Sequence, residues 1–461
     1  MIIDDRGYIT GISKEDLSED GRFTVPAQFD GNYVLGIAKG AFKDVDGNLS
    51  SLTFESHTAP VEFTIEDSAF KWCKSLKEIN FPESKFESSE MIYKIGKNAF
   101  ERTGIEKLEL PSTVKEIGEG AFSLSDLETV TLPKGLKELA KDTFRECENL
   151  KEVNLPETLE KIGESAFTRS GIEHIELPSS IQEIGAVAFS NTNLSSVNVP
   201  DSVETINAGA FASCKELQSV TLPKGLKSLP INMFSGCENL YLIDLPNGLE
   251  EIKDGAFRNC KSLTRFEIPE SVTDIGHGRM AETFKGCSSL TSVTIPKGVK
   301  EIPGDAFRDC VNLRSVHTKF GLEEIKDGAL RGCTSLKEFN VPEGVEKVGS
   351  YVFQDCKSLE SVSLPSSLEG ENGVWLGNDV FKGCSQDLNL DIPQSRNFLN
   401  EVIEKTGGKC NIKQVQHSLA SKRAMVEKAS ALLGKVKNIV SKVMGIDKRK
   451  ENNRDDKGGE R

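Results

Sequence analysis

An Ala-Phe or similar pair recurs about fifteen times along the chain, and this repetition constrains the fold more than any other feature. Most neighbouring copies are 22 or 23 residues apart, and four intervals are 27 to 30 residues. A period in this range, sustained over so many copies, is typical of a solenoid, in which each repeat buries its apolar face only against its neighbours. The recurring residue lies at Phe42, Phe70, Phe100, Phe122, Phe144, Phe167, Phe189, Phe211, Phe234, Phe257, Phe284, Phe307, Leu330, Phe353 and Phe381.

The unit between two such pairs is seen most clearly from Cys214 to Phe234, as C-x-x-L-x-x-V-x-L-P-x-x-L-x-x-L. Its alternating apolar residues predict a half-buried strand, and the proline that follows ends the strand because it lacks an N–H. Copies without the cysteine are one residue shorter between the phenylalanine and the next leucine, which predicts a bend there. Glycine is common four residues before the phenylalanine, but Pro230 and Pro303 share that place, so we do not expect positive φ there.

Ten of the eleven cysteines occupy one repeat position, three residues after the phenylalanine. Because cysteine behaves as a small buried hydrophobe, we expect reduced, structural thiols. The sequence has neither a C-x-x-C pair nor metal-site spacing, so we expect no metal site. These cysteines are Cys73, Cys147, Cys214, Cys237, Cys260, Cys287, Cys310, Cys333, Cys356 and Cys384.

Charge is unevenly distributed. The net charge is −14, yet from Ser395 to Arg461 there are 16 Lys or Arg against 8 Asp or Glu, so the rest of the chain carries −22. An acidic body argues against nucleic acid as a partner and favours basic protein partners, although simple solvation of an exposed surface also accounts for it. The first residues resemble no secretory signal, and no apolar run could span a membrane. We therefore expect a cytosolic protein or one exported without such a signal, with cell-surface display or secretion as the alternative.

The patterns divide the chain into five parts. We expect a degenerate capping repeat over 1–40, a solenoid of about 15 rungs over 41–394, and a cap and linker over 395–410. A basic amphipathic helix is predicted over 411–447, and a disordered charged tail over 448–461. The expected fold class is thus a solenoid rod, α/β or mostly β, with one short strand per rung of about 23 residues and a C-terminal helix.

The predicted C-terminal helix carries apolar residues at spacings of three and four, with lysines between them. Such a helix suits an anionic membrane surface, a coiled coil, or docking on the acidic body, and the sequence leaves these three open. The residues that would make the contact are Leu432, Leu433, Lys435, Val436, Lys437, Ile439, Val440, Lys442 and Val443.

Motifs that carry catalysis are missing from the sequence. The five histidines have no partner at fixed spacing, and there is no phosphate-binding glycine loop, nucleophile elbow or H-E-x-x-H. Acidic residues fall at exposed, variable positions. We therefore expect no enzymatic activity and no cofactor.

The outward-facing strand position, the x of Val-x-Leu, is the most informative surface. It carries no Lys or Arg in thirteen copies: Asn80, Glu109, Thr131, Asn154, Glu176, Asn198, Thr221, Asp244, Glu267, Thr294, His317, Asn340 and Ser363. Beside it, Tyr241 and Leu242 replace the usual polar pair, next to Arg265. We predict a protein-binding face here, including Asp244 and Glu267; the alternative is that small polar residues merely suit exposed strands.

An insertion over residues 369–377 contains Trp375, one of two tryptophans in the chain. Insertions in solenoids form loops that often bind partners, and tryptophan is a common hot-spot residue. Trp375 is therefore a candidate contact residue; the alternative is that it folds back over the last rung.

The unit from Ile252 to Pro269, I-K-D-G-A-F-R-N-C-K-S-L-T-R-F-E-I-P, resembles the BspA-type leucine-rich repeat, as does the opening from Gly7 to Pro26. The resemblance extends from about Gly7 to Pro393. It implies a curved solenoid that binds proteins, commonly as a surface adhesin or host-interacting factor, and it brings no catalytic residues. The absent export signal and the basic helix differ from that pattern. The alternatives are an effector tethered to a membrane by that helix, and a purely structural assembly protein.

Overall fold

The structure is a computed structural model that describes residues 1–57, 61–82, 92–264, 266–371, 373–406 and 410–415. Nearly all of these residues belong to a stack of similar rungs, most of which contribute short parallel strands to two long ladders. The fold predicted from the repeat, a leucine-rich repeat solenoid of about 15 turns, is confirmed.

The front ladder contains the strands of the Val-x-Leu segments. Proline or a turn follows most of them, which explains why they are only three to five residues long. They are Arg22–Val25, Ser51–Phe54, Glu78–Asn80, Lys107–Glu109, Thr129–Thr131, Glu152–Asn154, Ser196–Asn198, Ser219–Thr221, Leu242–Asp244, Ser292–Ile295, Ser315–Thr318, Glu338–Asn340, Ser361–Ser363, Asn389–Pro393 and Asn411–Val415.

The back ladder contains the strands that precede each Phe turn. They are Tyr8–Gly11, Gly36–Ile37, Glu62–Ile65, Ile92–Ile95, Val114–Ile117, Glu138–Leu139, Lys161–Ile162, Glu183–Ile184, Thr205–Ile206, Ser228–Leu229, Glu251–Ile252, Glu301–Ile302, Glu324–Ile325 and Lys347–Val348. Ile2–Ile3 pairs antiparallel with the first of them. Two hairpins, Gln28–Phe29 with Asn32–Tyr33 and Glu369–Gly370 with Gly373–Val374, and two short 3-10 turns, Lys14–Asp16 and Ser366–Leu368, complete the described strands and turns.

The interior between the ladders is a single column of phenylalanine rings. From Phe70 to Phe307 every neighbouring pair is stacked, with 5.0–6.0 Å between ring centroids. Leu330, where the repeat replaces the ring, interrupts the column, and Phe353 and Phe381 resume it at 5.7 Å. Each ring is buried against its neighbours, so no rung has a complete core of its own.

The repeated cysteines form a second ladder beside the rings. All eleven are free thiols, and nine of the ten in the repeat position are buried, as expected of small residues that pack in the interior. The Cys147 thiol donates to the carbonyl oxygen of Phe122 in the preceding rung at 3.1 Å, and the contact recurs from rung to rung. Burial raises the pKa of the Cys147 thiol to about 11 and that of Cys287 to about 12.

The Phe turn, which joins the back strand to the front strand, contains two residues with left-handed backbone, two before and two after the phenylalanine. The later of the two directs its N–H along the stack, where it donates to a carbonyl of the next rung at 2.7–2.9 Å. Gly118, Gly163, Gly185 and Gly349 do not have positive φ, as expected from the prolines that share their place. The predicted bend between phenylalanine and cysteine is also confirmed.

The C-terminal end differs in part from the prediction. Helix α1, Arg396–Thr406, buries Phe398 and Val402 and closes the last rungs. Residues 411–415, assigned to the basic helix, instead form a strand that pairs in parallel with Asn389–Pro393, because Ile412 meets the apolar edge left open by Leu390. The rest of the predicted helix, including Leu432 to Val443, and the tail lie outside the described residues. In the described part of the chain no helix is long and apolar enough to cross a membrane.

Candidate protein-binding face

The outer side of the front ladder, here called the front face, is built by simple alternation. In each front strand the central valine or its equivalent points inward, as Val220 does with 5% exposure, and the residue after it points to solvent, as Thr221 does. The parallel register then places equivalent residues side by side, so that Thr221 lies between Asn198 and Asp244. The sequence column is therefore one continuous surface.

The structure also lengthens this column. Asp391 follows Ser363 in register, and Lys413 follows Asp391 on the last strand. Lys and Arg are thus absent from the thirteen predicted positions, and the first lysine of the column is Lys413 on the terminal strand.

Four carboxylates of the predicted column are unpaired in the part of the chain that the structure describes. Among the described residues, Glu109, Glu176, Asp244 and Glu267 take part in no ion pair. Arg265, predicted to lie near Asp244 and Glu267, is outside the described residues. The front face is therefore a strip of hydroxyl, amide and carboxylate groups that accept more readily than they donate.

The outer side of the back ladder, here called the back face, is different. In several places a lysine pairs with a glutamate of a neighbouring rung. Lys161 lies 3.4 Å from Glu138 and 3.6 Å from Glu183 on the two neighbouring strands. Lys94 lies in the same way between Glu62 and Glu116. Single pairs between neighbouring rungs, in or beside the back strands, are Lys137 with Glu160, Lys141 with Glu164, Lys227 with Glu250, Lys300 with Glu323, and Lys347 with Glu324.

Tyr241 and Leu242 interrupt the polar front face near its middle. Their exposed fractions are 53% and 52%, although Leu242 lies in register with Ser219, which is polar. Asp244, two residues further along the same strand, is also exposed. The structure therefore places Tyr241, Leu242 and Asp244 together, and the exposed side chain of Glu267 lies on the rung that follows.

Trp375 lies elsewhere. Leu376 bridges to Val348 of the back ladder, and the Trp375 carbonyl accepts the Val348 N–H at 3.0 Å, so the tryptophan occupies a back-face position at the C-terminal end. Its indole ring lies over Gly370 of the inserted hairpin and is 54% exposed. Trp375 is thus not part of the surface around Tyr241.

Sequence reasoning missed the left-handed residues of the Phe turn. Their signal was present, because Gly, Asn, Asp or Ser recurs two residues after the phenylalanine in nine consecutive later copies. It also missed Trp72, which stands at that position in an early copy and is 46% exposed. Within the described ranges, no three His, Cys, Asp or Glu side chains are grouped as a metal site.

Comparison with known proteins identifies a repeat family. The sequence profile described as a BspA type leucine-rich repeat region, in six copies, matches residues 36–173, 160–279 and 279–406. No protein with a curated description matches the sequence.

Among solved structures, a leucine-rich repeat protein from Bacteroides ovatus is 22% identical, with 90% of this chain and 97% of that chain covered and a TM-score of 0.47. A leucine rich cell surface protein from Faecalibacterium prausnitzii is 24% identical, with coverage of 87% and 94% and a TM-score of 0.40. The pneumococcal vaccine antigen PcpA is 18% identical, with coverage of 89% and 92% and a TM-score of 0.45.

Proposed function

The chain belongs to the BspA type leucine-rich repeat proteins, and on that premise we propose that it is a non-enzymatic scaffold that binds a protein partner on its front face. Proteins built from leucine-rich repeats are generally interaction scaffolds. The finer role that we propose is that of an adhesin-like or effector-like protein, which binds a partner of another cell or of its host.

The exposed pair Tyr241 and Leu242 is the observation that carries this proposal. Every other described rung places at least one polar side chain at these two positions, and a solvent-exposed leucine and tyrosine gain nothing for the monomer by standing there. Full burial of a leucine side chain contributes about 1.5–3 kcal/mol. Tyrosine is enriched among hot-spot residues because its large rigid ring also carries a hydroxyl.

The charge of the front face indicates the chemistry of the partner. Asp244 and Glu267 flank the apolar pair, and no described cation neutralises either of them. A partner surface with lysine or arginine around an apolar contact would complement this arrangement, and the acidic body of the chain would steer such a partner towards it.

Affinity capture with three forms of the full chain tests the proposal. The first is the wild type, the second is Tyr241→Ala with Leu242→Ala, and the third is Ile231→Ala as the control. Ile231 is 46% exposed and lies in the turn before Phe234, so its truncation removes a similar apolar surface away from the front face.

We expect the wild type and Ile231→Ala to capture the same set of basic proteins. The double variant should not capture these proteins. When each captured protein is purified, its affinity for the double variant should be at least about tenfold lower than for the wild type. Equal capture by all three forms would contradict a front-face site.

A further inference from the structure

The position two residues after each phenylalanine divides the rod into two parts. From Phe189 onward this left-handed position carries only residues that tolerate it: Asn191, Ser213, Gly236, Asn259, Gly286, Asp309, Gly332, Asp355 and Gly383. The five earlier rungs place Trp72, Arg102, Leu124, Glu146 and Arg169 there, with φ between 56° and 74°. We call Trp72, Arg102 and Leu124 the turn ridge.

The backbone requires this conformation in every rung. The N–H of Trp72 donates to the carbonyl of Glu101 at 2.9 Å, that of Arg102 to Ser123 at 2.9 Å, and that of Leu124 to Arg145 at 2.8 Å. The same hydrogen bond forms in the later rungs, where the donor is the backbone N–H of a glycine, asparagine, aspartate or serine. Bulky side chains in the early rungs therefore strain the backbone without adding to the ladder.

Burial does not offset the strain. Trp72 is 46% exposed, and its side chain lies outside the phenylalanine column. Leu124 is only half-buried, and it too is outside the core. Trp72 and Leu124 are thus partly exposed along one edge of the rod, on the rungs before and after that of Arg102.

Cations surround the ring of Trp72. The Arg102 guanidinium carbon lies 4.4 Å from the ring centroid, and the Lys74 ammonium lies 5.9 Å from it. Arg102 reaches Glu101 only at 3.9 Å, while Glu101 is already 2.7 Å from Lys71. Lys74 has no ion-pair partner among the described residues. This end of the ridge is therefore locally positive on an otherwise acidic protein.

We propose that the turn ridge is a second protein-binding surface, which takes an acidic polypeptide segment bearing a large apolar side chain. Tryptophan and arginine are the residues most enriched in hot spots, and strained residues persist where a function retains them. A carboxylate of the partner would lie against Arg102 and Lys74, and its apolar side chain would pack between Trp72 and Leu124. The contribution of Leu124 favours a polypeptide over an anionic polysaccharide, which has no comparable apolar group.

Selection from a phage-displayed library of random ten-residue peptides, with the full chain as bait, tests the ligand class. We expect enriched peptides to combine Asp or Glu with a large apolar residue, and Leu124→Gly to weaken the selected peptides by at least about tenfold. Tyr241→Ala with Leu242→Ala should leave their binding unchanged, since the front face is a separate surface.

Unfolding by urea provides the second readout. Leu124→Gly and Trp72→Asn should raise the urea midpoint, because each places a tolerant residue at a left-handed position. If these side chains are retained for binding, the same variants should bind peptide more weakly and unfold at a higher urea concentration. The proposal would be overturned by a lower urea midpoint in both variants or by enriched peptides without acidic residues. It would also be overturned if heparin, but not an acidic peptide, displaced the bound peptides.

Discussion

The front and back faces of the same rod use their charges in opposite ways. On the back face, Lys94 and Lys161 each lie between glutamates of the two neighbouring rungs and pair with them within the protein. On the front face, Asp244 lies in a column with threonine and asparagine and forms no ion pair with any described residue. Both faces arise from the same repeat, at exposed positions that the core leaves free to vary.

The back face therefore stabilises the rod through its own ion pairs, whereas the front face leaves charged groups available to a partner. Each exposed ion pair of the back face contributes little by itself, roughly 0.2–1 kcal/mol, but several such pairs together stabilise the rungs that they join. The front-face column that contains Asp244 has no such pair among the described residues, and Tyr241 and Leu242 beside it expose apolar surface. An interaction site is therefore better recognised by charges that the protein leaves unpaired than by the number of charges.

The largest expected effect tests whether the two faces depend on a shared interior. Phe234→Ala removes one ring from the column between Phe211 and Phe257, and should lower the free energy of unfolding by about 3–5 kcal/mol. Because neighbouring rungs stabilise each other, the loss should reach both faces. Hydrogen exchange should show faster exchange of front and back strands in the rungs beside the change. Loosening confined to one face would mean that the faces are supported separately.

The buried cysteines predict that the free energy of unfolding falls at alkaline pH. Unfolded cysteine has a pKa of about 8.5, whereas burial raises the pKa of Cys147 to about 11 and those of Cys73 and Cys287 to about 12. The folded pKa values are raised, so this contribution to stability is complete below about pH 8.5 and is lost as the pH rises through 11 to 12.

Urea midpoints measured from pH 7 to pH 11 should therefore fall above about pH 8.5. Cys287→Ser with Cys310→Ser should show a shallower fall, since a hydroxyl does not titrate there and Ser125 holds this place naturally. Identical slopes for the variant and the wild type would show that other groups govern the alkaline loss.

Reversing one charge on each face compares how much the charged side chains of the two faces contribute to stability. Lys161→Glu places a third carboxylate between Glu138 and Glu183 and should destabilise the back face by about 1 kcal/mol. Asp244→Lys on the front face should change stability by less than about 0.5 kcal/mol, because its carboxylate supports no described ion pair. In 1 M salt, where the Debye length is about 3 Å, the difference between the two variants should shrink. A larger loss from Asp244→Lys than from Lys161→Glu would reverse the assignment of the faces.

The smallest effect lies in the turn that joins the faces. Val187 is β-branched and has a φ of 48°, so Val187→Gly should stabilise the fold by about 0.5–1 kcal/mol once the added freedom of the unfolded chain is counted. Gly209→Val is the matched change in the next rung. Its Cβ would stand 3.0 Å from Cγ1 of Val187, so it should destabilise. Thermal unfolding of the two variants should shift in opposite directions; a shift in the same direction would show that this position carries no strain.

Positions fixed by the repeat were predictable from sequence, and positions fixed by contacts between distant segments were not. Val-x-Leu-Pro spacing placed the front strands, and the recurring Cys and Phe placed the interior, because each follows from local periodicity. The strand at 411–415 was missed because Ile412 and Val415 fit a helix as well as a strand, and pairing with Leu390 decides between them. Trp375 was assigned no face, since the bridge from Leu376 to Val348 depends on how the insertion folds.

Site-directed photocrosslinking tests the central claim most directly. A benzoylphenylalanine at position 221 would lie on the front face, and one at position 205 would lie on the back face, since both threonines are exposed on those strands. With proteins captured by the wild-type chain, we predict that the front-face variant forms covalent adducts and the back-face variant does not. Adducts of equal yield from both positions, or adducts from position 205 alone, would contradict the account.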